Sequence, residues 1–122
     1  METVSRIIKT AAWDAPITLL PIGDRHIGSA DSDEHIDAAI LAQHKPDMII
    51  GMGDDIEGIT RLDKRWDEKN AAGWLLDAVR KHGDTGIIDL QIERAVRVYD
   101  PHRERLIGIL ENGIDQHGEA VA

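Results

Sequence analysis

Residues 17–57 read ITLLPIGDRHIGSADSDEHIDAAILAQHKPDMIIGMGDDIE and decide the fold of this 122-residue chain. Two apolar runs, residues 17–22 and 48–52, have the length and the β-branched content of buried strands. The apolar residues between them recur at helical spacing. A strand, a helix and a strand in this order form a βαβ unit with parallel strands. The stretch therefore predicts an α/β fold with a βαβ-type sheet and flanking helices.

Local signals bound the helix of this unit and predict it over residues 34–44. Ser32 or Asp33 can cap its N-terminus by accepting a backbone N–H. Acidic residues crowd its first turn, where the helix dipole favours negative charge. Pro46 then stops the helix before the second apolar run begins.

The remainder of the chain predicts two more helices in a single domain that spans residues 1–122. One helix is predicted over residues 70–82, where apolar residues share one face and Gly83 ends the pattern. Another is predicted over residues 88–99, because its apolar positions recur at the same spacing before a proline.

A third apolar run at residues 106–110 predicts a further strand in the same sheet. Residues 4–12 are compatible with an edge strand, followed by a turn at residues 13–16. The polar residues 111–122 are expected to be poorly ordered unless another part of the molecule holds them.

Acidic side chains follow both apolar runs of the βαβ unit. Asp24 and His26 come directly after the first run, and Asp54 follows the second. Because ligands bind at the carboxyl ends of parallel strands, we expect these three side chains to converge. Carboxylates with an imidazole suit manganese, zinc, iron(II) or magnesium. The alternative is that Asp and Gly after a strand are plain turn formers.

Four neighbours of these residues complete the predicted site. Gly23 and Gly53 would let the backbone turn sharply beside each acid. Side chains two apart in an extended chain point the same way, which would aim both members of the Asp-x-His pair at one cation. Asp55 and Glu57 are candidates for orienting a ligating imidazole or holding water.

The segments LLPIGDRHIGS and KPDMIIGMGDDIEGI resemble the first two motifs, D-x-H and G-D, of the calcineurin-like metallophosphoesterase family. The similarity runs from about residue 17 to residue 110. It implies the first half of the family's αββα sandwich and a dinuclear centre of manganese, iron or zinc. It also implies Asp24 and His26 as ligands of the first metal ion and Asp54 as the bridge to the second.

The third family motif, G-N-H-[DE], is matched only in part. Asn112 stands where the family has the asparagine ligand of the second metal ion, and Gly113 stands where it has a histidine that assists leaving-group departure. His117 follows in the segment QHGE and is the candidate for that catalytic role, at a different spacing. The further histidines of the family, including a G-H-x-H motif, have no counterpart before Ala122.

The resemblance predicts a metal-dependent phosphoesterase that hydrolyses a phosphomonoester or a phosphodiester at a two-metal centre. The alternative is a truncated, catalytically inactive remnant that serves as a binding or interaction module. Without the family's second sheet, the predicted sheet would expose an apolar face or edge. We therefore expect self-association or a C-terminal partner.

A charged loop follows the second strand and carries Arg61, Lys64 and Arg65. These cations would either hold a substrate phosphate near Asp54 or form a solvated loop.

Composition limits the partners and the compartment. The net charge is −9, from 23 acidic residues against 14 Lys and Arg. Such a surface repels nucleic acid and anionic lipid unless bound cations reverse its sign, so nucleic acid is an allowed but disfavoured partner. The absence of cysteine excludes thiolate zinc sites and iron–sulfur clusters and fits a cytoplasmic protein. The apolar runs are too short to cross a membrane.

Overall fold

The computed structural model describes residues 5–110. Its elements in chain order are β1 (Leu19–Ile22), α1 (Glu34–His44), β2 (Met48–Gly51), α2 (Gly73–His82), α3 (Ile87–Tyr99) and β3 (Leu106–Ile109). Short 3₁₀ turns at Glu68–Asn70 and Asp100–His102 precede α2 and β3. The described chain has an α/β fold with a three-stranded parallel sheet and flanking helices, which confirms the predicted fold class.

The strands lie in the order β1-β2-β3, and both pairings are parallel. Leu19 lies opposite Met48 in the first pairing, and Leu106 lies opposite Ile49 in the second. The register between β2 and β3 shifts after Ile49. All three strands therefore end at the same edge of the sheet.

Helix α1 has the predicted bounds, Glu34–His44. The Asp33 carboxylate accepts a hydrogen bond of 2.9 Å from the backbone N–H of His35, so Asp33 is the cap. The helix ends at His44, and the left-handed backbone of its C-cap residue Lys45 (φ 42°) turns the chain toward β2 just before Pro46.

The core lies between the sheet and helices α1 and α3. Four buried residues form it: Leu41, Ile49, Val98 and Tyr99. Leu20, Ile22 and Leu106 of the strands pack against them. Full burial of one aliphatic side chain such as Leu41 or Ile49 contributes about 1.5–3 kcal/mol to the free energy of unfolding.

Helix α2 packs on α3 through a second cluster, made of Ala72, Leu75, Val79 and Ile87. Trp66 and Trp74 cover this cluster, so both indole rings are used in packing. Arg94 of α3 stacks over the Trp74 ring at 3.9 Å and forms an ion pair of 2.6 Å with Glu34 of α1. The three helices are thereby linked to one another.

The opposite face of the sheet is apolar and partly open. Leu19 is 51% exposed, and Leu110 is 49% exposed. A shallow depression of about 340 Å³ lies on this face, lined by Arg6, Met48, Ile50, Ile107, Gly108, Ile109 and Leu110. The prediction of an exposed apolar face is confirmed, but the prediction that β1 is buried is wrong. Its residues alternate between exposed and half-buried because the helices pack on one face only.

Residues 4–12 are compatible in sequence with an edge strand, but no strand forms in their described part, residues 5–12. The Arg6 side chain, rather than a backbone ladder, donates a 3.0 Å hydrogen bond to the Leu106 carbonyl oxygen. A turn closed by the Ala15 N–H and the Ala12 carbonyl oxygen (3.1 Å) leads to the segment before β1.

Candidate metal centre

The structure brings Asp24, His26 and Asp54 together just beyond the ends of β1 and β2. One potential ligand atom of each residue lies within 4.8 Å of the others. Nε2 of His26 and Oδ1 of Asp24 are 2.6 Å apart. The predicted convergence of these three side chains is confirmed, because the parallel strands deliver them to one edge of the sheet.

Two backbone loops run side by side beneath the triad, and we call them the first ligand loop (residues 23–28) and the second ligand loop (residues 53–58). Asp24 N–H donates to the Gly53 carbonyl oxygen and His26 N–H to the Asp54 carbonyl oxygen, each at 3.0 Å. Ile27 N–H continues the pattern to the Asp55 carbonyl oxygen at 2.9 Å. These hydrogen bonds extend the β1–β2 pairing beyond the sheet itself.

The backbone at the triad is left-handed, with φ of 57° at Asp24, 49° at His26 and 52° at Asp54. The expectation of an extended Asp-x-His segment is therefore wrong, although its side chains do meet. Asp and His tolerate this conformation better than most residues, but each still carries a cost of about 1–2 kcal/mol. Within residues 5–110, Lys45 at the end of α1 is the one other non-glycine residue with positive φ.

The two glycines beside the acids have different purposes. Gly53 has a positive φ of 95° and turns the second ligand loop, as predicted. Gly23 instead allows close approach, because a Cβ there would lie 2.7 Å from the Cβ of Met52 and 3.1 Å from the Gly53 carbonyl oxygen. The neighbouring strands can therefore stay paired up to the triad.

Glu57 orients the His26 ring, as the sequence suggested. Its Oε2 lies 3.1 Å from Nδ1 of His26, while Nε2 of the same ring faces Asp24. A metal-ligating histidine typically donates its second N–H to a carboxylate, which fixes the tautomer and the ring plane. With Nδ1–H directed at Glu57, Nε2 is the nitrogen that can bind a cation together with Asp24.

The charges around His26 favour its protonated form in the metal-free protein. Burial lowers the pKa of His26, but the hydrogen bond to Asp24 and the negative charges of the surrounding carboxylates outweigh burial. The pKa therefore lies above 6.5. A proton on this ring partly neutralises the carboxylates, and a divalent cation would replace it with a larger positive charge.

The donor set fits a hard or borderline divalent cation. Two carboxylates and one imidazole suit manganese, iron(II), zinc or magnesium. The Asp24 side chain is 80% exposed, so one side of such an ion would remain open to water or a ligand. The turn-former alternative explains the position of Gly53 and Asp54, and the hydrogen bond between the Asp24 carboxylate and the His26 ring is compatible with both interpretations.

Asp55 does not orient the imidazole, contrary to the prediction. Its Oδ1 accepts a 3.0 Å hydrogen bond from Nε of Arg25 and a 3.1 Å hydrogen bond from the Tyr99 hydroxyl. Burial raises the pKa of Tyr99 to about 12, and the negative charge of Asp55 adds to the rise. The Asp55 side chain therefore points into the interior, whereas the Asp54 side chain points toward Asp24 and His26.

Gln91 of α3 contacts both ligand loops, and the sequence motifs did not indicate it. It is fully buried, and its Oε1 accepts a 2.9 Å hydrogen bond from Gly58 N–H in the second ligand loop. A Cβ at Gly28 of the first ligand loop would lie 2.7 Å from the same Oε1. A glutamine among the apolar positions of a predicted helix was the available signal.

Comparison with protein-family models, with curated proteins and with solved structures finds no match to this chain. In the described part of the chain, no helix combines the length and the apolar character needed to cross a membrane.

The candidate residues for the second metal ion and for leaving-group chemistry, Asn112 and His117, lie outside the described residues. The triad is thus the part of the predicted site that the structure describes.

The cations of the charged loop have acidic neighbours. Nε of Arg61 lies 2.8 Å from Oδ1 of Asp84, and Nη2 of Arg65 lies 2.7 Å from Oδ2 of Asp63. Lys64 is exposed. These ion pairs favour the alternative of a charged loop without a binding role for Arg61 and Arg65 over a role in binding substrate phosphate.

Proposed function

We propose that this chain is a metal-dependent phosphoesterase domain of the calcineurin-like type, built on the first half of that family's αββα sandwich. The observation that carries the proposal is the convergence of Asp24, His26 and Asp54 at the ends of adjacent parallel strands. The D-x-H and G-D motifs of the family place its metal ligands at the same points of the sequence. The ring orientation imposed by Glu57 supports a ligand role for Nε2 of His26.

In this proposal Asp24 and His26 would hold the first metal ion, Asp54 would be shared with the second, and Asn112 would be a further ligand of the second. When bound, such ions lower the pKa of water and offset the charge that develops on a phosphate ester in the transition state. Glu57 retains the Nδ1 proton of His26, so that the ring does not rotate away from the metal. The exposed side of Asp24 gives a phosphate ester access from solvent.

The substrate class is a phosphomonoester or a phosphodiester. The net charge of −9 favours small esters over long nucleic acid. The acidic protein surface at a distance from the bound ions would repel the phosphates of a duplex. His117 is the residue proposed to assist the leaving group. A cytoplasmic setting is part of the proposal and rests on the cysteine-free composition.

The second candidate function is an inactive interaction module, and the open apolar sheet face favours it. Leu19 and Leu110 present aliphatic surface that would be shielded by a second copy or by a C-terminal partner. In this case the chain would self-associate with a concentration dependence that a Leu19→Lys substitution weakens. Sedimentation of the wild type and of Leu62→Lys, which changes an exposed loop leucine instead, separates this face from general solubility effects.

The test of the enzyme proposal combines metal stoichiometry with hydrolysis of bis-p-nitrophenyl phosphate and p-nitrophenyl phosphate in the presence of Mn²⁺. The wild type is compared with Asp54→Asn and with Asp77→Asn, a matched change of charge on the exposed surface of α2. We expect turnover that Asp54→Asn abolishes and Asp77→Asn leaves intact. Metal binding without turnover would support the inactive module, and turnover that survives Asp54→Asn would exclude the bridging role.

A further inference from the structure

A buried ion pair joins the two ligand loops on the side that faces away from the triad. Arg25 lies between Asp24 and His26 in the first ligand loop, and Asp55 follows Asp54 in the second. Arg25 is 6% exposed. Its Nε and Nη2 atoms each lie 3.0 Å from Oδ1 of Asp55.

Helices α1 and α3 enclose this pair. The Arg25 guanidinium lies over the Tyr99 ring at 4.5 Å, and the Tyr99 hydroxyl donates to the same carboxylate oxygen of Asp55. Oδ2 of Asp37, on α1, lies 3.7 Å from Nη1 of Arg25. One cation and two anions are therefore held between the ligand loops and the helices.

Such a pair adds little stability compared with apolar side chains of similar volume, because the cost of removing both charges from water offsets their attraction. Nη1 and Nη2 of Arg25 are buried, and within the described residues neither has a hydrogen bond of good geometry. An aliphatic pair would fill this space at lower cost. The ion pair instead fixes the relative orientation of the side chains, because Asp55 accepts hydrogen bonds from Arg25 and Tyr99 in one geometry.

The ion pair sits next to every member of the triad. Arg25 is the immediate neighbour of two members, and Asp55 is the immediate neighbour of the third. A shift of the Arg25 backbone relative to the Asp55 backbone would therefore also change the separation of Asp54 from Asp24 and His26. Metal affinity depends on ligand positions to within a few tenths of an ångström.

We propose that Arg25 and Asp55 are positioning residues that hold the two ligand loops at the separation at which the triad binds a divalent cation. The part of this inference that concerns metal binding rests on the proposed function. Its structural part, that the ion pair controls the spacing of the loops, is independent of that function.

The decisive variant replaces the ion pair and the tyrosine hydroxyl together, as Arg25→Met, Asp55→Leu and Tyr99→Phe, so that none of these three side chains leaves another unpaired. The Asp37 side chain is 19% exposed and keeps its contact with water. The matched control is Arg94→Met with Glu34→Leu, which removes another partly buried ion pair between α1 and α3 that lies outside the ligand loops. Arg25→Lys keeps the charge but loses the planar guanidinium and is the conservative variant. Each protein is assayed in full length, with the fold checked by circular dichroism and by its NMR spectrum.

Two readouts are compared among the wild type and the variants, under conditions in which their free energies of unfolding are equal. The first is the Kd for Mn²⁺. The second, in the metal-free protein, is hydrogen exchange of the His26 and Ile27 amides, which donate to the second ligand loop. We expect the triple variant to bind Mn²⁺ at least about tenfold more weakly and to exchange both amides faster, with Arg25→Lys intermediate. The control pair should change neither readout.

Wild-type affinity and wild-type exchange in the folded triple variant would overturn the proposal. If the triple variant does not fold, Arg25→Lys decides alone, because unchanged Mn²⁺ affinity and unchanged exchange in that variant would also overturn it. Absence of Mn²⁺ binding by the wild type would refute the proposed function instead. The exchange data would then still show whether the ion pair sets the spacing of the loops.

Discussion

Oε2 of Glu57 lies 3.1 Å from Nδ1 of His26, on the edge of the imidazole opposite the nitrogen that faces Asp24. The two residues come from different ligand loops, so this contact also ties the second loop to the first. Both side chains are less than one-third exposed, which limits the screening of their attraction by water. The ring is therefore held in one plane with Nε2 directed at the triad.

Glu57→Gln is expected to weaken metal binding without unfolding the protein. Loss of the carboxylate that orients a ligating histidine typically reduces metal affinity by about 10–100-fold. Titration with Mn²⁺ measures the change, and Glu104→Gln on the exposed surface near β3 serves as the control. Equal affinities in the two variants would mean that Glu57 does not orient a metal ligand.

The pKa of His26 in the metal-free protein should lie above 6.5, and Glu57→Gln should lower it by removing one of the charges that raise it. Since the folded-state pKa is raised, protonated His26 stabilises the fold at pH values below 6.5. That contribution is lost as the pH rises through the raised pKa. Metal affinity should increase over the same range, because a neutral ring is needed for ligation.

His102 provides an internal comparison for this titration. Burial lowers the pKa of His102, and the neighbouring positive charge of Arg105 lowers it further. In an NMR titration of chelator-treated protein, the ring signal of His26 should therefore change at higher pH than that of His102. The reverse order of the two midpoints would contradict the charge distribution described around His26.

Asp54→Gly should stabilise the fold while abolishing metal binding. Asp54 has a φ of 52°, a conformation that glycine adopts without a Cβ clash. We expect the free energy of unfolding to rise by about 0.5–1 kcal/mol, since the relief of strain exceeds the entropy that glycine adds to the unfolded chain. Asp54→Ala removes the same ligand but keeps the strain, so it should be less stable than Asp54→Gly in urea unfolding. Equal stabilities would show that the backbone at this position is not strained.

Gly51→Ala should destabilise the sheet beside the ligand loops. A Cβ at Gly51 would lie 2.9 Å from Cγ1 of Ile109 and 3.1 Å from the Tyr99 hydroxyl oxygen. Overpacking of this kind costs about 1–3 kcal/mol. Gly108→Ala, on the adjacent strand, meets no atom within 4 Å and should change stability by less than about 0.5 kcal/mol. A similar loss in both variants would point to strand propensity rather than to packing.

Much of the fold could be predicted because its signals are local. The Asp33 cap and the periodic apolar residues give α1 its bounds, and the apolar runs locate all three strands to within about two residues. The burial of β1 could not be predicted in this way. Leu19 and Leu20 are the same residue type, but Leu19 is 51% exposed and Leu20 is partly buried against the core. Which face of a strand is buried depends on the layers around the sheet, and residues distant in the chain decide it.

The sequence by itself determined the order of the elements and the acids that follow each strand, since hydrophobic periodicity and capping act over a few residues. Only the tertiary structure decided where the side chains of the adjacent residues Asp54 and Asp55 point. The Asp54 side chain points toward Asp24 and His26, and the Asp55 side chain points toward Arg25. The left-handed backbone at Asp54 and the packing of Tyr99 against Asp55 separate them. Those are long-range effects, because α3 must fold against the sheet before its tyrosine can select an orientation for a carboxylate 44 residues away.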